Sequence, residues 1–166
     1  MNKLYEAFLN ALYPKKEYCI LCGGISSENL CSNCASTVEF IHDRRCLKCG
    51  KGLKDSFIDN ICPDCKERKF SFHTAYSSFL YKGSGKEIIH KLKYDGKKEG
   101  ARVLAKYMAD IIISESLKGD VIVPVPIHED KMSLRGFNQS FLIGEHLSRD
   151  LSLPLWPCLI RIKNTR

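Results

Sequence analysis

Four Cys-x-x-Cys motifs in the first part of the chain restrict its fold more than any other feature of the sequence. A Cys-x-x-Cys turn lets two sulfurs bind one metal ion, and a second turn completes a tetrahedron with Zn–S distances of about 2.3 Å. Four such turns supply ligands for two ions. The sequence therefore predicts two structural zinc sites, and their ligands are Cys19, Cys22, Cys31, Cys34, Cys46, Cys49, Cys62 and Cys65.

The spacing of the motifs favours pairing in sequence order, because each quartet then closes a short local loop. A cross-braced arrangement stays open as the alternative. Four thiolates leave no coordination position for water, so both ions are predicted to support folding and not catalysis. Iron is the competing metal, since a Cys₄ tetrahedron accepts either ion. A redox dithiol is disfavoured because four tandem motifs exceed what that chemistry needs. Cys158, the ninth cysteine, has apolar neighbours and is predicted to be a buried free thiol.

Composition restricts the cellular compartment and the kinds of partner that can be expected. The sequence has no long apolar run and no export signal, and its cysteines are spaced for metal, so a cytoplasmic protein without membrane insertion is predicted. The net charge of +7 is divided unevenly: residues 1–70 hold 11 Lys/Arg against 9 Asp/Glu, and residues 71–166 hold 15 against 10. Two Cys₄ zinc sites, each net negative, bring the first segment below neutrality. Positive charge that attracts phosphate is therefore expected in the second segment.

Apolar periodicity predicts secondary structure on both sides of the cysteines. The stretch 1–14 reads as a short amphipathic helix, and residues 74–81 alternate as a strand does. A helix carrying Ile88 and Leu92 on one face is expected to end at Asp95, and a second amphipathic helix is expected within 98–114.

The next segment has the pattern of a strand that leads to a ligand site. Residues 120–124 form a short apolar run of β-branched residues stopped by proline, which is typical of a buried parallel strand. A loop containing Lys131, Arg135 and Gly136 follows, and a helix is predicted to start at Asn138, a good N-cap residue. The order of these elements predicts an α/β layer. His128 is interpreted as a loop residue and not as a base.

Several motifs together resemble the ComF family of competence-associated, phosphoribosyltransferase-like proteins. The most specific are Val-Pro-Val-Pro-Ile at 123–127 and Arg-Gly-Phe-Asn-Gln at 135–139. Lys-Leu-Lys-Tyr-Asp-Gly at 91–96, Leu-Ile-Arg-Ile-Lys-Asn-Thr at 159–165 and the cysteine motifs are also similar to family segments. The resemblance covers nearly the whole chain. It implies a role in DNA uptake or natural transformation, with competence proteins as partners.

The resemblance also implies a fold and a ligand. The expected fold class is α/β, with a double zinc ribbon over residues 1–70 and an incomplete type I phosphoribosyltransferase-like parallel domain over 71–166. Phosphoribosyl pyrophosphate and Mg²⁺ would bind at the ends of the strands, as the loop before a helix N-terminus suggests. Asn138 and Gln139 either bind substrate or cap the helix, and the sequence leaves both readings open. By resemblance, the pyrophosphate-binding residues are Lys131, Arg135, Gly136, Asn138 and Gln139.

The sequence departs from that family at its end. Phosphoribosyltransferases of this type carry an acidic pair and a Thr-Thr-Gly loop after a later strand, and the chain reaches Arg166 before any such segment. We therefore expect a shortened family member with a marginal α/β half that is inactive alone. No catalytic residue is assigned, and Mg²⁺ and phosphoribosyl pyrophosphate are expected only if the missing segment is supplied.

Two further functions stay open at this point. One is a non-catalytic module that binds a protein or single-stranded nucleic acid, with Tyr76, Phe79, Tyr81 and Tyr94 as stacking residues. The alternation of the first three is better explained by a half-buried strand. The other is an inert remnant. Loss of affinity with salt would favour nucleic-acid binding, and turnover of phosphoribosyl pyrophosphate would favour the enzyme.

Overall fold

The computed structural model describes residues 17–41, 44–54 and 59–164. The predicted helix over 1–14 and the end of the 159–165 motif lie outside these residues. Two short helices belong to the cysteine-rich part, and four more follow it. Their bounds are α1 Ser32–Ala35, α2 Pro63–Glu67, α3 Gly83–Tyr94, α4 Gly100–Ser114, α5 Glu129–Arg135 and α6 Gln139–Leu151.

The longer helices form where apolar periodicity predicted them. α3 buries Ile88 and Leu92 and ends at the Asp95 C-cap. α4 buries Val103 and Leu104, which belong to the predicted stripe. α6 begins after Asn138, whose Oδ1 accepts a hydrogen bond from the Ser140 amide at 2.9 Å. The predicted helix start and N-cap are therefore confirmed.

The core joins the first zinc ribbon to the helices. Cys19, Ile20, Leu30 and Val38 are buried in one cluster with residues of α3 and α4 and with Phe137. A second cluster packs α4 against α6 through Ala105, Ala109 and Leu147. Burying this much apolar surface in common makes the ribbon part of the core.

β-structure within the described residues is limited to four isolated bridges. Three are antiparallel, including one between Phe40 and Phe79. Within the predicted strand at 74–81, this single bridge is the β-structure that the described residues show. The fourth is parallel and pairs Ile122 with Leu155. The Ile122 amide donates to Pro154 O and the Trp156 amide donates to Ile122 O, both at 2.9 Å. The α/β parallel domain that was predicted is therefore not confirmed.

Two local predictions were wrong. The stretch that was expected to be a loop contains α5, which includes Lys131 and Arg135. Gly136 lies after the helix as its C-cap and has the left-handed φ of 76°. His128 caps this helix, since its Nδ1 accepts a hydrogen bond from the Asp130 amide at 3.3 Å. Cys158 is exposed and not buried, and its neighbours from Trp156 to Ile160 are exposed as well.

Candidate metal centres and anion-binding turn

The first metal centre brings together the sulfurs of Cys19, Cys22, Cys31 and Cys34, all within 4.8 Å of one another. The Gly23 amide donates to Cys19 O at 2.8 Å and closes the first turn. Gly23 has φ 74°, a left-handed conformation that favours glycine. Cys31 occupies the N-cap of α1, so the second turn coincides with a helix start.

The second metal centre repeats this construction with Cys46, Cys49, Cys62 and Cys65. The Gly50 amide donates to Cys46 O at 2.9 Å, and Gly50 has φ 71°. Cys62 is the N-cap of α2. Its amide also donates to the Cys46 sulfur at 3.3 Å, which ties the two turns together.

The backbone favours the thiolate form at one cysteine of each centre. Burial disfavours a charged Cys19, but hydrogen bonds from the amides of Cys22, Cys31 and Leu21 outweigh it and lower its pKa to about 6. The same balance lowers the pKa of Cys46 to about 6, with amides of Cys62, Cys49 and Lys48 as donors. Thiolates are the form that binds metal.

Both centres have the donor set and the compactness of a structural zinc site. Four sulfurs converge in each, and the pairing follows sequence order, as predicted. A complete Cys₄ tetrahedron has no open position for water or substrate. The two centres therefore fit two structural zinc ions.

The predicted pyrophosphate residues lie around the turn between α5 and α6. The Arg135 Nη1 donates to Gln139 Oε1 at 3.1 Å across Gly136. The Asn138 Nδ2 donates to Val125 O at 3.1 Å, which fastens the turn to the predicted strand end. Lys131 lies on α5, one to two turns before Gly136, and has a partner of its own. The structure thus joins four of the five residues at one turn.

The end of α3 and the loop that follows it add Tyr94 and Lys98, which the sequence did not assign to this site. The Arg135 guanidinium lies over the Tyr94 ring, 5.4 Å from its centroid. The Lys98 ammonium lies over the Phe137 ring at 5.3 Å. Two motifs far apart in sequence, at 91–96 and 135–139, therefore meet. The presence of both motifs in the family pattern is the sequence signal for this contact.

An aromatic row extends from this turn along α3. The His90 and Tyr94 rings meet edge to face with centroids 5.2 Å apart. The Tyr81 hydroxyl lies 3.1 Å from His90 Nε2. Tyr81 and Tyr94 are 59% and 65% exposed, so their ring surfaces are accessible. Together with Arg135 they form a surface that we call the aromatic row: Tyr81, His90, Tyr94 and Arg135.

Comparisons with known proteins agree with the metal centres. The family model of the double zinc ribbon domain matches residues 8–66. The chain therefore contains a double zinc ribbon. No solved structure gives a significant match, and none of the helices within the described ranges is long and apolar enough to cross a membrane.

Three curated relatives are competence proteins. ComFC of Bacillus subtilis is 26% identical over 149 residues, which are 84% of this chain and 58% of the relative. ComFC of Streptococcus pneumoniae is 31% identical over 114 residues, 66% of this chain and 48% of the relative. Competence protein F of Haemophilus influenzae is 28% identical over 156 residues, 89% of this chain and 66% of the relative. The chain thus spans about half to two thirds of these relatives' lengths.

Proposed function

We propose that the chain, which is similar to three competence proteins, is a ComF-like protein associated with DNA uptake. In this proposal the two zinc ribbons are structural. The part after residue 70 is a phosphoribosyltransferase-like unit that binds the pyrophosphate group of phosphoribosyl pyrophosphate. The observation that supports this ligand is the geometry of the turn at 135–139, where the Arg135 guanidinium lies close to the capped N-terminus of α6.

The chemistry of the turn suits a doubly charged phosphate group. A helix N-terminus carries partial positive charge and unpaired amides, so it favours anions. Asn138 keeps the first turn of α6 formed by capping Ser140. Arg135 donates one hydrogen bond to Gln139. Its guanidinium has further N–H donors in the same plane, and their geometry matches that of phosphate oxygens. Lys98 adds a second cation beside Phe137.

Calorimetric titration of the zinc-loaded chain with phosphoribosyl pyrophosphate and Mg²⁺ tests the ligand. Arg135→Gln should weaken binding by about 1.5–3 kcal/mol, because it removes a charge-assisted hydrogen bond. Arg149→Gln is the matched control, since Arg149 lies at the other end of α6 and its Nε donates to Glu145 O. Absence of binding by the unmodified chain, or equal losses in both variants, would contradict the site.

The transfer reaction is a separate question. We propose that these 166 residues bind without turnover, since they contain no Thr-Thr-Gly sequence. Incubation with phosphoribosyl pyrophosphate and Mg²⁺ should therefore release no pyrophosphate beyond the rate in buffer. Release that saturates with substrate and falls in Arg135→Gln would refute this part and leave the binding site standing.

The role in DNA uptake is tested in the host. Disruption of the gene should lower the frequency of transformation with purified DNA while growth is unchanged. Complementation with the intact gene or with Cys158→Ser should restore it, because Cys158 is exposed and outside both metal centres. Transformation that is unaffected by the disruption would contradict the proposal.

The aromatic row favours a second candidate, the binding of single-stranded nucleic acid. Lys86, His90 and Tyr94 follow one another at intervals of four on α3 and so share a face. Stacked bases need accessible rings, and the backbone needs nearby cations. Tyr94 with Arg135 over its ring supplies both at one point. This surface adjoins the pyrophosphate turn, so one phosphate-rich ligand would contact both.

Fluorescence anisotropy with labelled oligothymidylate tests this candidate. Tyr94→Leu should weaken binding by about 1–3 kcal/mol through lost stacking. Tyr18→Leu is the control, because Tyr18 is also more than half exposed but lies in the first ribbon. Affinity should fall steeply with salt. Binding that is insensitive to salt, or equally reduced by both variants, would count against the aromatic row.

A further inference from the structure

We propose that the second zinc ribbon is a metal-dependent clamp on residues 72–77. These residues lie between α2 and the stretch that pairs with residues 39–41, and they contact the first metal-binding turn of the second centre and the residues next to it. The clamp consists of three sets of contacts, which involve Gly50, Lys48 and Arg45.

The closest contact is at Gly50. A β-carbon built on this glycine would lie 2.7 Å from Ala75 O and 2.8 Å from both Ser77 N and Tyr76 Cα. No side chain fits in that space, so the backbone of 75–77 rests on the glycine itself. The equivalent glycine of the first centre, Gly23, has no heavy atom within 4 Å of such a carbon. The close approach is therefore particular to the second ribbon.

Lys48, inside the Cys46–Cys49 turn, fixes the same segment by hydrogen bonds. Its carbonyl oxygen accepts from the Ala75 amide at 2.9 Å. Its ammonium donates to His73 O at 2.9 Å and also to Phe72 O. Both kinds of bond depend on the conformation of the metal-binding turn. Arg45, just before the turn, adds a guanidinium 5.1 Å from the centre of the Tyr76 ring.

The clamped segment forms one wall of an apolar cavity of about 370 Å³. Tyr76 and Ser77 line it on one side, and Ile89, Leu104 and Met108 line it from α3 and α4. Beyond Ser77 the chain is held differently: the Ile41 amide donates to Ser78 O at 3.0 Å and the Leu80 amide donates to Glu39 O at 2.9 Å. Loss of the clamp therefore frees 72–77 and leaves 78–80 in place.

Zinc at the second centre determines whether the clamp forms. A small Cys₄ turn has too little buried surface to hold its shape without the ion, so binding and folding are coupled. When the centre is empty, Lys48 and Gly50 no longer present their contacts to the segment. The apolar cavity then opens on the side of Tyr76. Occupancy of this centre is in this way transmitted to the surface between α3 and α4.

Hydrogen–deuterium exchange of the full chain tests the clamp, with zinc content measured in each sample. Cys65→Ser, which removes a ligand of the second centre, should lower zinc from two ions to one. Exchange at the Ala75 amide should then be at least about tenfold faster, while α3, α4 and the Leu80 amide keep their protection. A dye that fluoresces on apolar surfaces should bind more strongly to this variant.

A pair of glycine variants tests the contact with the metal in place. Gly50→Ala should keep two zinc ions and still speed exchange at Ala75, because its methyl group displaces the 75–77 backbone. Gly23→Ala introduces the same left-handed alanine at the equivalent position and should leave Ala75 unchanged. Equal effects of the two variants would overturn the proposal. So would protection at Ala75 that is unchanged when the second centre is empty.

Discussion

The two zinc ribbons share one local design and differ in how they join the rest of the molecule. Both have a glycine-closed turn followed by a turn at a helix N-cap. In the first, Cys19 and Ile20 belong to the main apolar cluster with α3 and α4. In the second, Cys46 and Cys62 are buried, but the contacts to residues 72–77 are made by backbone, lysine and arginine. The same motif therefore serves once as a piece of core and once as an attachment.

That difference decides what each ion is expected to stabilise. Apolar contacts shared with two helices are lost together if the first ribbon unfolds, so its ion supports the global fold. The hydrogen bonds between Lys48 and residues 72–75 are local, so the ion of the second ribbon supports a segment. Sequence similarity between the two centres does not reveal this division.

The largest predicted effect is the loss of a ligand from the first centre. Structural zinc contributes about 10–16 kcal/mol in small metal-binding peptides, which is comparable to the whole stability of about 5–15 kcal/mol of a typical domain. Cys19→Ser should therefore abolish most of the helical circular dichroism, since Cys19 lies in the core. Cys46→Ser should retain the signal of α3, α4 and α6. Equal loss in both variants would remove the distinction between the ribbons.

A matched pair of apolar residues sharpens the comparison without touching the metal. Ile20 and Leu47 each follow the first cysteine of their ribbon, but Ile20 is 8% exposed and Leu47 is 59% exposed. Ile20→Ala should lower the free energy of unfolding by about 2–4 kcal/mol, because it leaves a cavity in the core. Leu47→Ala should change it by less than about 0.5 kcal/mol. Denaturant unfolding of the zinc-loaded proteins measures both. Comparable losses would mean that the second ribbon also contributes to the core.

The parts that sequence predicted are those set by local rules. Cys-x-x-Cys spacing gave the ligands and their pairing, because each centre closes within a short loop. Apolar periodicity gave α3 and α4, and Asn138 marked the start of α6 through a bond two residues away. These features need no knowledge of distant residues.

The parts that sequence missed depend on packing at a distance. The contact of Arg135 with Tyr94 requires the turn at 135–139 to meet the end of α3. The parallel pairing of Ile122 with Leu155 is limited to one bridge, whereas β-branched composition suggested a longer strand. Cys158 has apolar neighbours in sequence but is exposed, because burial depends on what packs over a segment. Composition alone cannot report these relations.

The smallest predicted effect concerns two ion pairs, which connect one ribbon to α4 and the other to the C-cap of α4. Arg45 of the second ribbon pairs with Glu115, and their side chains are 16% and 31% exposed. Glu28 of the first ribbon pairs with Lys106 at 2.7 Å, and both are more than half exposed. Water and salt screen the exposed Glu28–Lys106 pair much more than the Arg45–Glu115 pair.

Neutral variants separate the two pairs. Glu115→Gln should lower the free energy of unfolding by about 1 kcal/mol, because it leaves the mostly buried Arg45 guanidinium with a weaker partner. Lys106→Met should have no effect above the error of denaturant unfolding. Its effect should instead appear in the Glu28 pKa, which the hydrogen bond and charge of Lys106 hold below the usual value; carboxyl titration by NMR should show it rise in the variant. If Lys106→Met destabilised the protein as much as Glu115→Gln, the first ribbon would depend on polar contacts as well, and the contrast between a core ribbon and an attached ribbon would fail.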